Sequence, residues 1–548
     1  ILRRCISLIV VLKMSNNRIF LFDSTLRDGA QTLGVNFSAV DKANIATDLD
    51  TLGIDYIEGG WPGANPTDDN FFSNQPTLSN AKLTAFGMTR RSGRSTDNDP
   101  GLRALSDAKT EAVCIVGKTW DFHTKIALGV DDSENIEMIG DSVKYMCDQS
   151  KEVIFDAEHF FDGFKSNRDF AIKCLVAAAD SGARWITLCD TNGGALPHEI
   201  EEIVIDIIKY VPGKNLGIHC HDDTGNAVAN SIAAVRAGVR QVQGTLNGLG
   251  ERCGNANLIS LIPTLILKMG FETGTKPEGM KKLTDISRSL DEKMNVTSNK
   301  AAPYVGQRAF VHKGGLHVSA VEKDPRTYEH VDPELIGNNR QIVVSDQAGR
   351  SNVIAMFRAI GLDIDEKNPK IEDLIETIKE REHRGYAYDG ADASFEILAR
   401  RALSEIPNYY KLNSFRVIDE RRWNARNELV TISEATIKAS VGESEIMNVS
   451  EGNGPVNALD RALREVLLPY YPELSDLRLV DYKVRILTPS DATGAVTRVL
   501  IESSDEAGNC WSTVGVSANI IDASYEALRD SIIYKLYRDK AEPLSNPK

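Results

Sequence analysis

The sequence predicts an α/β chain: a (β/α)8 barrel, then a helical linker, then an α+β C-terminal domain. Three observations carry that prediction. Eight short apolar runs recur between residues 19 and 249, spaced at about the ~30-residue length of a βα unit. Each run is rich in β-branched or aromatic residues and too short for a typical helix, which reads as a buried parallel strand. The segments between them carry helix-period apolar stripes that stop at glycine, and this pattern breaks after about residue 275.

In order, the runs are IFLFDS (19–24), IDYIEGGW (54–61), KLTAFGM (82–88), AVCIVG (112–117), EVIFDAEH (152–159), RWITLCDT (184–191), LGIHCHDD (216–223) and VQGTLNGL (242–249). The segment 39–52 sets Ala43, Ile45, Ala46, Leu49 and Leu52 largely along one stripe before Gly53. Segments 169–181 and 226–237 stop in the same way at Gly182 and Gly238. Eight regular units without a GxGxxG fingerprint favour a closed TIM barrel over an open doubly wound sheet. Residues 276–409 read as helical linker subdomains, with the charged helix 371–384 among them. From 410 to 548 the strand-like runs 415–423, 429–441, 481–488 and 495–504 surround two helical patterns, 455–468 and 522–537. Alternation through Val484 and Ile486, and again through Val496, Val499 and Ile501, suits an antiparallel sheet with one buried face.

Composition narrows the function classes. Of 548 residues, 63 are Lys or Arg and 78 are Asp or Glu, for a net charge of −15. A uniformly basic nucleic-acid binder is excluded, while a local basic pocket for a small anion is not. Charged residues at 26% and hydrophobic ones at 42% rule out collagenous, disordered and coiled-coil chains. Eight cysteines with no CxxC pair argue against a disulfide scaffold or zinc ribbon and for a reducing compartment. No stretch approaches the ~18 apolar residues of a membrane span. These features predict a cytoplasmic protein with neither nucleic-acid nor membrane partners. At the N-terminus, Arg3 and Arg4 precede the apolar run 5–12, but no small-residue cleavage site follows and Met14 offers an ordinary start. Residues 1–17 therefore read as upstream read-through or a truncated leader; an organellar address applies only if they are a targeting remnant.

Polar residues gather where the predicted strands end, the rim at which barrel active sites lie. Strand one runs into DSTLRDG (23–29), strand five into DAEH (156–159), strand six into CDTN (189–192), strand seven into HCHDD (219–223) and strand eight into NGLGERCGN (247–255). Helix capping explains one Asp, Thr or Asn per loop. It does not explain a His pair together with an Arg-Asp pair. His219 and His221 are i,i+2 on a strand and leave one face, which suits two ligands on one divalent ion. Only nine histidines occur in the chain. Cys253 reads as a packing residue rather than a nucleophile, since no base stands beside it in sequence.

DSTLRDGAQ (23–31), HCHDDTGNA (219–227) and NGLGERCGNANL (247–258) resemble the signatures of the metal-dependent, acyl-CoA-condensing barrel family of isopropylmalate, homocitrate and citramalate synthases. IEGGWPGANPTD (57–68) and WSTVGVSANIIDASYEAL (511–528) resemble its longer, citramalate-forming branch, and the likeness spans about 18–538. The resemblance implies a divalent metal ion (Mn, Mg, Zn or Co) on Asp28, His219, His221 and Asn255. It implies Arg27 as the electrostatic partner of the reacting carbonyl, Glu158 as a site carboxylate and Thr191 at the substrate carboxylate. HKGGLH (312–317) resembles the loop whose second His assists proton removal, selecting His317, with His312 and Lys313 upstream as a departure. Tyr328 resembles the tyrosine that completes the site from the linker. The implied substrates are acetyl-CoA and pyruvate. The C-terminal domain implies a homodimer able to bind an amino-acid end product, isoleucine or leucine, although Gly452-Asn453-Gly454-Pro455 also reads as a plain turn before a helix. Rival readings are 2-oxoisovalerate as the acceptor, an aldolase-type lyase, and a catalytically silent amino-acid sensor.

Overall fold

The computed structural model describes residues 17–312, 315–342, 354, 357, 360–362, 369–423 and 425–544. Apart from Asn17, the leader reading at 1–17 falls outside these residues, as does Lys313.

Eight parallel strands close a barrel in chain order: β1 (Phe20–Asp23), β2 (Tyr56–Gly60), β3 (Lys82–Met88), β4 (Ala112–Lys118), β5 (Glu152–Glu158), β6 (Trp185–Asp190), β7 (Leu216–Cys220) and β8 (Gln241–Gly244). Closure is made by β1, which pairs with β2 on one side and β8 on the other. Strand periodicity sorts the side chains into two sets. Phe22, Tyr56, Phe86, Cys114, Ile154 and Trp185 form a cluster built from strand residues inside the barrel. Leu21, Ile57, Leu83, Ile115, Ile186 and Ile218 pack outward with the helices. Both strand faces are thus buried, which is why the runs are apolar throughout.

The helix Ala39–Leu52 shows the local logic. Ser38 and Asp41 form a reciprocal capping box, and Gly53 ends the helix at φ 91°, a left-handed conformation that favours glycine. Ile45, Ala46, Leu49 and Leu52 are buried, as the stripe predicts. Helices Pro277–Met280 and Leu283–Lys293 add Met280, Leu283, Ile286 and Leu290 to the barrel's outer core. This compact unit runs to Phe310 and includes Val331–Asn339, beyond the change of pattern at 275.

A second unit comprises Val311–His330 and Arg340–Lys548. It carries the short ladder of β9 (Val311–His312) with β10 (Gln341–Ile342), and two antiparallel three-stranded sheets. One sheet is β11 (Lys411–Trp423), β12 (Leu429–Val441) and β13 (Ser444–Gly452); the other is β14 (Arg478–Ile486), β15 (Thr497–Ser504) and β16 (Cys510–Ser517). Helices Pro455–Leu467 and Ile520–Arg538 fall where the helical patterns place them. The helix Asp392–Ala402, grouped by its sequence with the linker, sends Ala393 and Ile397 into one core with Leu459, Leu463 and Leu536. It also covers edge strand β16, whose Ser512 and Val514 amides donate to Asp392 Oδ1 and Ser394 Oγ, each at 3.0 Å. The expected alternation fails in part: Val499 and Ile501 are buried, but Val496 lies before β15 and is only half-buried, and Val484 and Ile486 are exposed on β14, an edge strand. Among the described residues no helix is long and apolar enough to cross a membrane.

Candidate active site

Asp28, His219 and His221 are brought together at the barrel's rim, all buried, with one ligand atom of each within 4.8 Å of the others. The chain reaches this arrangement by three local devices. After β1, Asp23 accepts from the Thr25 amide at 2.8 Å, so the chain turns at once and carries Arg27 and Asp28 onto the rim. At the end of β7, strand alternation sets both imidazoles on one side, with their Nε2 atoms 3.4 Å apart. After β8 the loop returns to β7: the Ala256 amide donates to the Cys220 carbonyl and the Asp222 amide to the Gly254 carbonyl, both at 2.9 Å. That bridge pairs Asn255 with His221. Gly254 makes it possible, since at φ 95° a Cβ would stand 2.0 Å from the Gly248 carbonyl oxygen.

The Asn255 amide nitrogen donates to Asp28 Oδ1 at 2.9 Å and to the Leu249 carbonyl at 3.0 Å. Its own Oδ1 is buried and accepts no hydrogen bond, and neither does His221 Nδ1. Asp28 Oδ2 lies 3.8 Å from His219 Nε2 and 3.9 Å from His221 Nε2. Burial pushes the Asp28 carboxyl up, but Arg27, His219 and His221 together outweigh it and hold the group at about 2. Burial, then the neighbouring His219, pushes His221 down to about 4, so its ring is neutral near pH 7. A carboxylate and two imidazoles gathered within 4.8 Å, next to an asparagine whose amide oxygen has no partner, are costly without a cation among them. The donor set fits a divalent ion that keeps open positions.

Arg27 is clamped beside this group. Its Nε donates to Glu58 Oε2 at 2.8 Å, its Nη1 to Asp28 Oδ2 at 3.1 Å, and its guanidinium lies 4.0 Å over the Phe86 ring. Glu58 is fully buried on β2, also accepts from Ser24 Oγ, and has an Oε1 with no partner. Burial raises its carboxyl, Arg27 opposes the rise and Asp156 adds to it. The sequence leaves Glu58 as a strand residue and gives Asp156, one of the polar residues at the end of strand five, no role of its own. Their signal was an acid inside an apolar run, where a buried charge demands a partner.

The remaining predicted residues divide between the two units. Glu158 ends β5 and pairs with Lys118 of β4. Thr191 follows β6, and its Oγ1 accepts the His159 amide at 2.8 Å, with His159 itself at φ 55°. Cys253 is exposed rather than packed, because the Gly248–Gly254 turn carries it outward. In the second unit His317 and Tyr328 stack with ring centroids 4.0 Å apart at 28°. His312 is buried there with Nε2 3.1 Å from Glu329, which Arg340 also holds. His312 is thus engaged, while His317 and half-exposed Tyr328 present accessible surface.

Three family models match in succession: HMGL-like over residues 18–288, homocitrate synthase post-HMGL domain-like over 304–385, and LeuA allosteric (dimerisation) domain over 389–536. The (R)-citramalate synthase of Aquifex aeolicus is 50% identical, over 96% of this chain and 99% of its own length. The chain belongs to the (R)-citramalate synthase family. The family's member from Geobacter sulfurreducens is likewise 50% identical, over 95% of this chain and 98% of its own. The 2-isopropylmalate synthase of Dictyoglomus turgidum is 30% identical, over 92% of this chain and 96% of its own. Similarity to the (R)-citramalate synthases therefore runs through barrel, linker and C-terminal domain alike, and the last of these is a LeuA-type regulatory domain.

Proposed function

We propose that this chain is an acyltransferase that condenses acetyl-CoA with pyruvate and water to give (R)-citramalate and CoA. The observation that supports it most is the full-length identity to (R)-citramalate synthases, 50% against 30% for the 2-isopropylmalate synthase. Asp28, His219, His221 and Asn255 would hold the divalent ion, which when bound supplies Lewis-acid polarisation of a 2-oxo acid. Arg27 lays fixed positive charge where the alkoxide develops at C2, and the clamp by Glu58 and Asp28 keeps it aimed. Because Thr191 Oγ1 already accepts from His159, its own proton points elsewhere and can donate to the pyruvate carboxylate. Glu158, paired with Lys118, lines the same rim as a site carboxylate. His317 takes a proton from the acetyl methyl group, its ring plane fixed by the stack with Tyr328. The resulting carbon nucleophile bonds to C2, and water then cleaves the thioester, releasing CoA and making the condensation irreversible. The LeuA-type domain supports a homodimer under end-product control, with isoleucine or leucine as the effector class.

Pyruvate should exceed 2-oxoisovalerate in kcat/KM. Both acids present the same keto and carboxylate oxygens, so discrimination must come from the pocket around the alkyl group. A pocket closed to methyl size rejects a branched chain by overlap, with strain of about 1–3 kcal/mol. A larger pocket would penalise pyruvate by a similar ~1–3 kcal/mol per missing methylene. Initial rates of thiol release at matched acetyl-CoA decide this. Faster turnover of the branched acid would move the chain to 2-isopropylmalate formation, and no release with either acid would leave a silent sensor.

A further inference from the structure

Beneath the rim, a chain of buried side chains ends on His219. Gln243 on β8 accepts at Oε1 from His219 Nδ1 across 2.9 Å, and its Nε2 donates to Asp156 Oδ1 at 2.9 Å and Thr187 Oγ1 at 3.0 Å. Thr187 passes its own proton to Gln241 Oε1 at 3.0 Å. All four of these side chains are buried. Gly217 leaves the space they occupy, since a Cβ there would stand 2.2 Å from Gln241 Oε1 and 2.7 Å from Thr187 Oγ1. The orientation of the Gln243 amide follows from Asp156. A carboxylate oxygen accepts, so the Gln243 amide must turn its N–H bonds to Asp156 and Thr187, which leaves its carbonyl for His219. A carbonyl facing Nδ1 requires the proton on that nitrogen, and the lone pair then sits on Nε2, the atom 3.4 Å from His221 Nε2.

We infer that Gln243 is a positioning residue of the metal centre: locked by Asp156 and Thr187, it holds His219 in the Nδ1–H tautomer, with Nε2 offered to the ion. This rests on the reading of Asp28, His219, His221 and Asn255 as that centre. The free imidazole otherwise divides between two tautomers and two ring flips, and partners of this kind tune ligand orientation and basicity.

The test is calorimetric titration of manganese(II) into the metal-stripped full-length chain, with thermal unfolding recorded for each variant. Gln243→Met keeps the side-chain length and removes all three hydrogen bonds; its Kd should weaken at least about tenfold. Gln241→Met, equally buried on the same strand but not touching His219, should stay within about twofold of the unmodified chain. Gln243→Glu sets a carboxylate against Asp156. Adding Asp156→Asn restores the bond between positions 156 and 243 in reversed polarity and keeps an acceptor facing His219 Nδ1, so the double variant should return to within about threefold. If Gln243→Met does not fold, the comparison of Gln243→Glu with and without Asp156→Asn carries the test. An unchanged Kd in Gln243→Met, equal weakening in Gln241→Met, or a double variant no better than Gln243→Glu alone would each overturn the inference. An unmodified chain that takes up no manganese would instead overturn the metal centre itself.

Discussion

His219→Ala and His221→Ala are each expected to lower kcat/KM by at least about 10³-fold, a loss of about 4 kcal/mol in transition-state stabilisation. Each removes one of the two imidazoles from the group they form with Asp28. Metal content should fall with activity, because few ligands share the ion. The fold should survive. β7 is anchored by Leu216 and Ile218, which pack outward into the helical layer, while the imidazoles face the rim. His219→Ala also strands the Gln243 carbonyl, an unmet buried acceptor that costs about 1–3 kcal/mol, so its melting temperature should drop further than that of His221→Ala. Elemental analysis, steady-state rates and thermal unfolding on the same preparations check all three statements. Full metal occupancy with retained activity in both variants would refute the ligand assignment.

Arg27→Lys, a substitution that preserves charge, is expected to lower kcat by about 10²–10³-fold, the usual cost of losing one preorganised donor at a developing oxyanion. Arginine reaches Glu58 through Nε and Asp28 through Nη1 at once, with its plane on Phe86. A lysine ammonium is a single point on a flexible stem and cannot reproduce that fork. Bound metal per chain should stay at the level of the unmodified enzyme, since Asp28 retains Asn255 and both histidines. That split, a fallen kcat with full metal, separates Arg27 from the ligand residues. A near-normal kcat would remove Arg27 from the chemistry.

The eight strands were legible because each is buried on both faces and so reads as an apolar run, KLTAFGM at 82–88 coinciding with β3. The His219, His221 and Asp28 group was legible from strand parity and from the motifs at the ends of β1 and β7. The roles of Glu58, Asp156 and Gln243 were not, because a polar residue on a barrel strand gains its partners only when the barrel closes and brings β2, β5 and β8 around one interior. In the second unit β13 escaped notice since SEIMNVSEG mixes polar and apolar residues on both faces, as suits an edge strand with few buried residues. Val484 and Ile486 misled for the converse reason: they alternate correctly, but on an edge strand whose apolar residues stay exposed. His317 and Tyr328 stand 11 residues apart in sequence, and only the fold of 311–330 shows their rings stacked.

Pyruvate-dependent thiol release from acetyl-CoA is the measurement that tests a metal-dependent condensation at the barrel's rim. The full-length enzyme should release CoA thiol only when pyruvate is present, fall to background after chelation, and recover on addition of manganese(II) with one citramalate formed per thiol. Thiol release that ignores pyruvate, or that persists undiminished in the chelated enzyme, would contradict it.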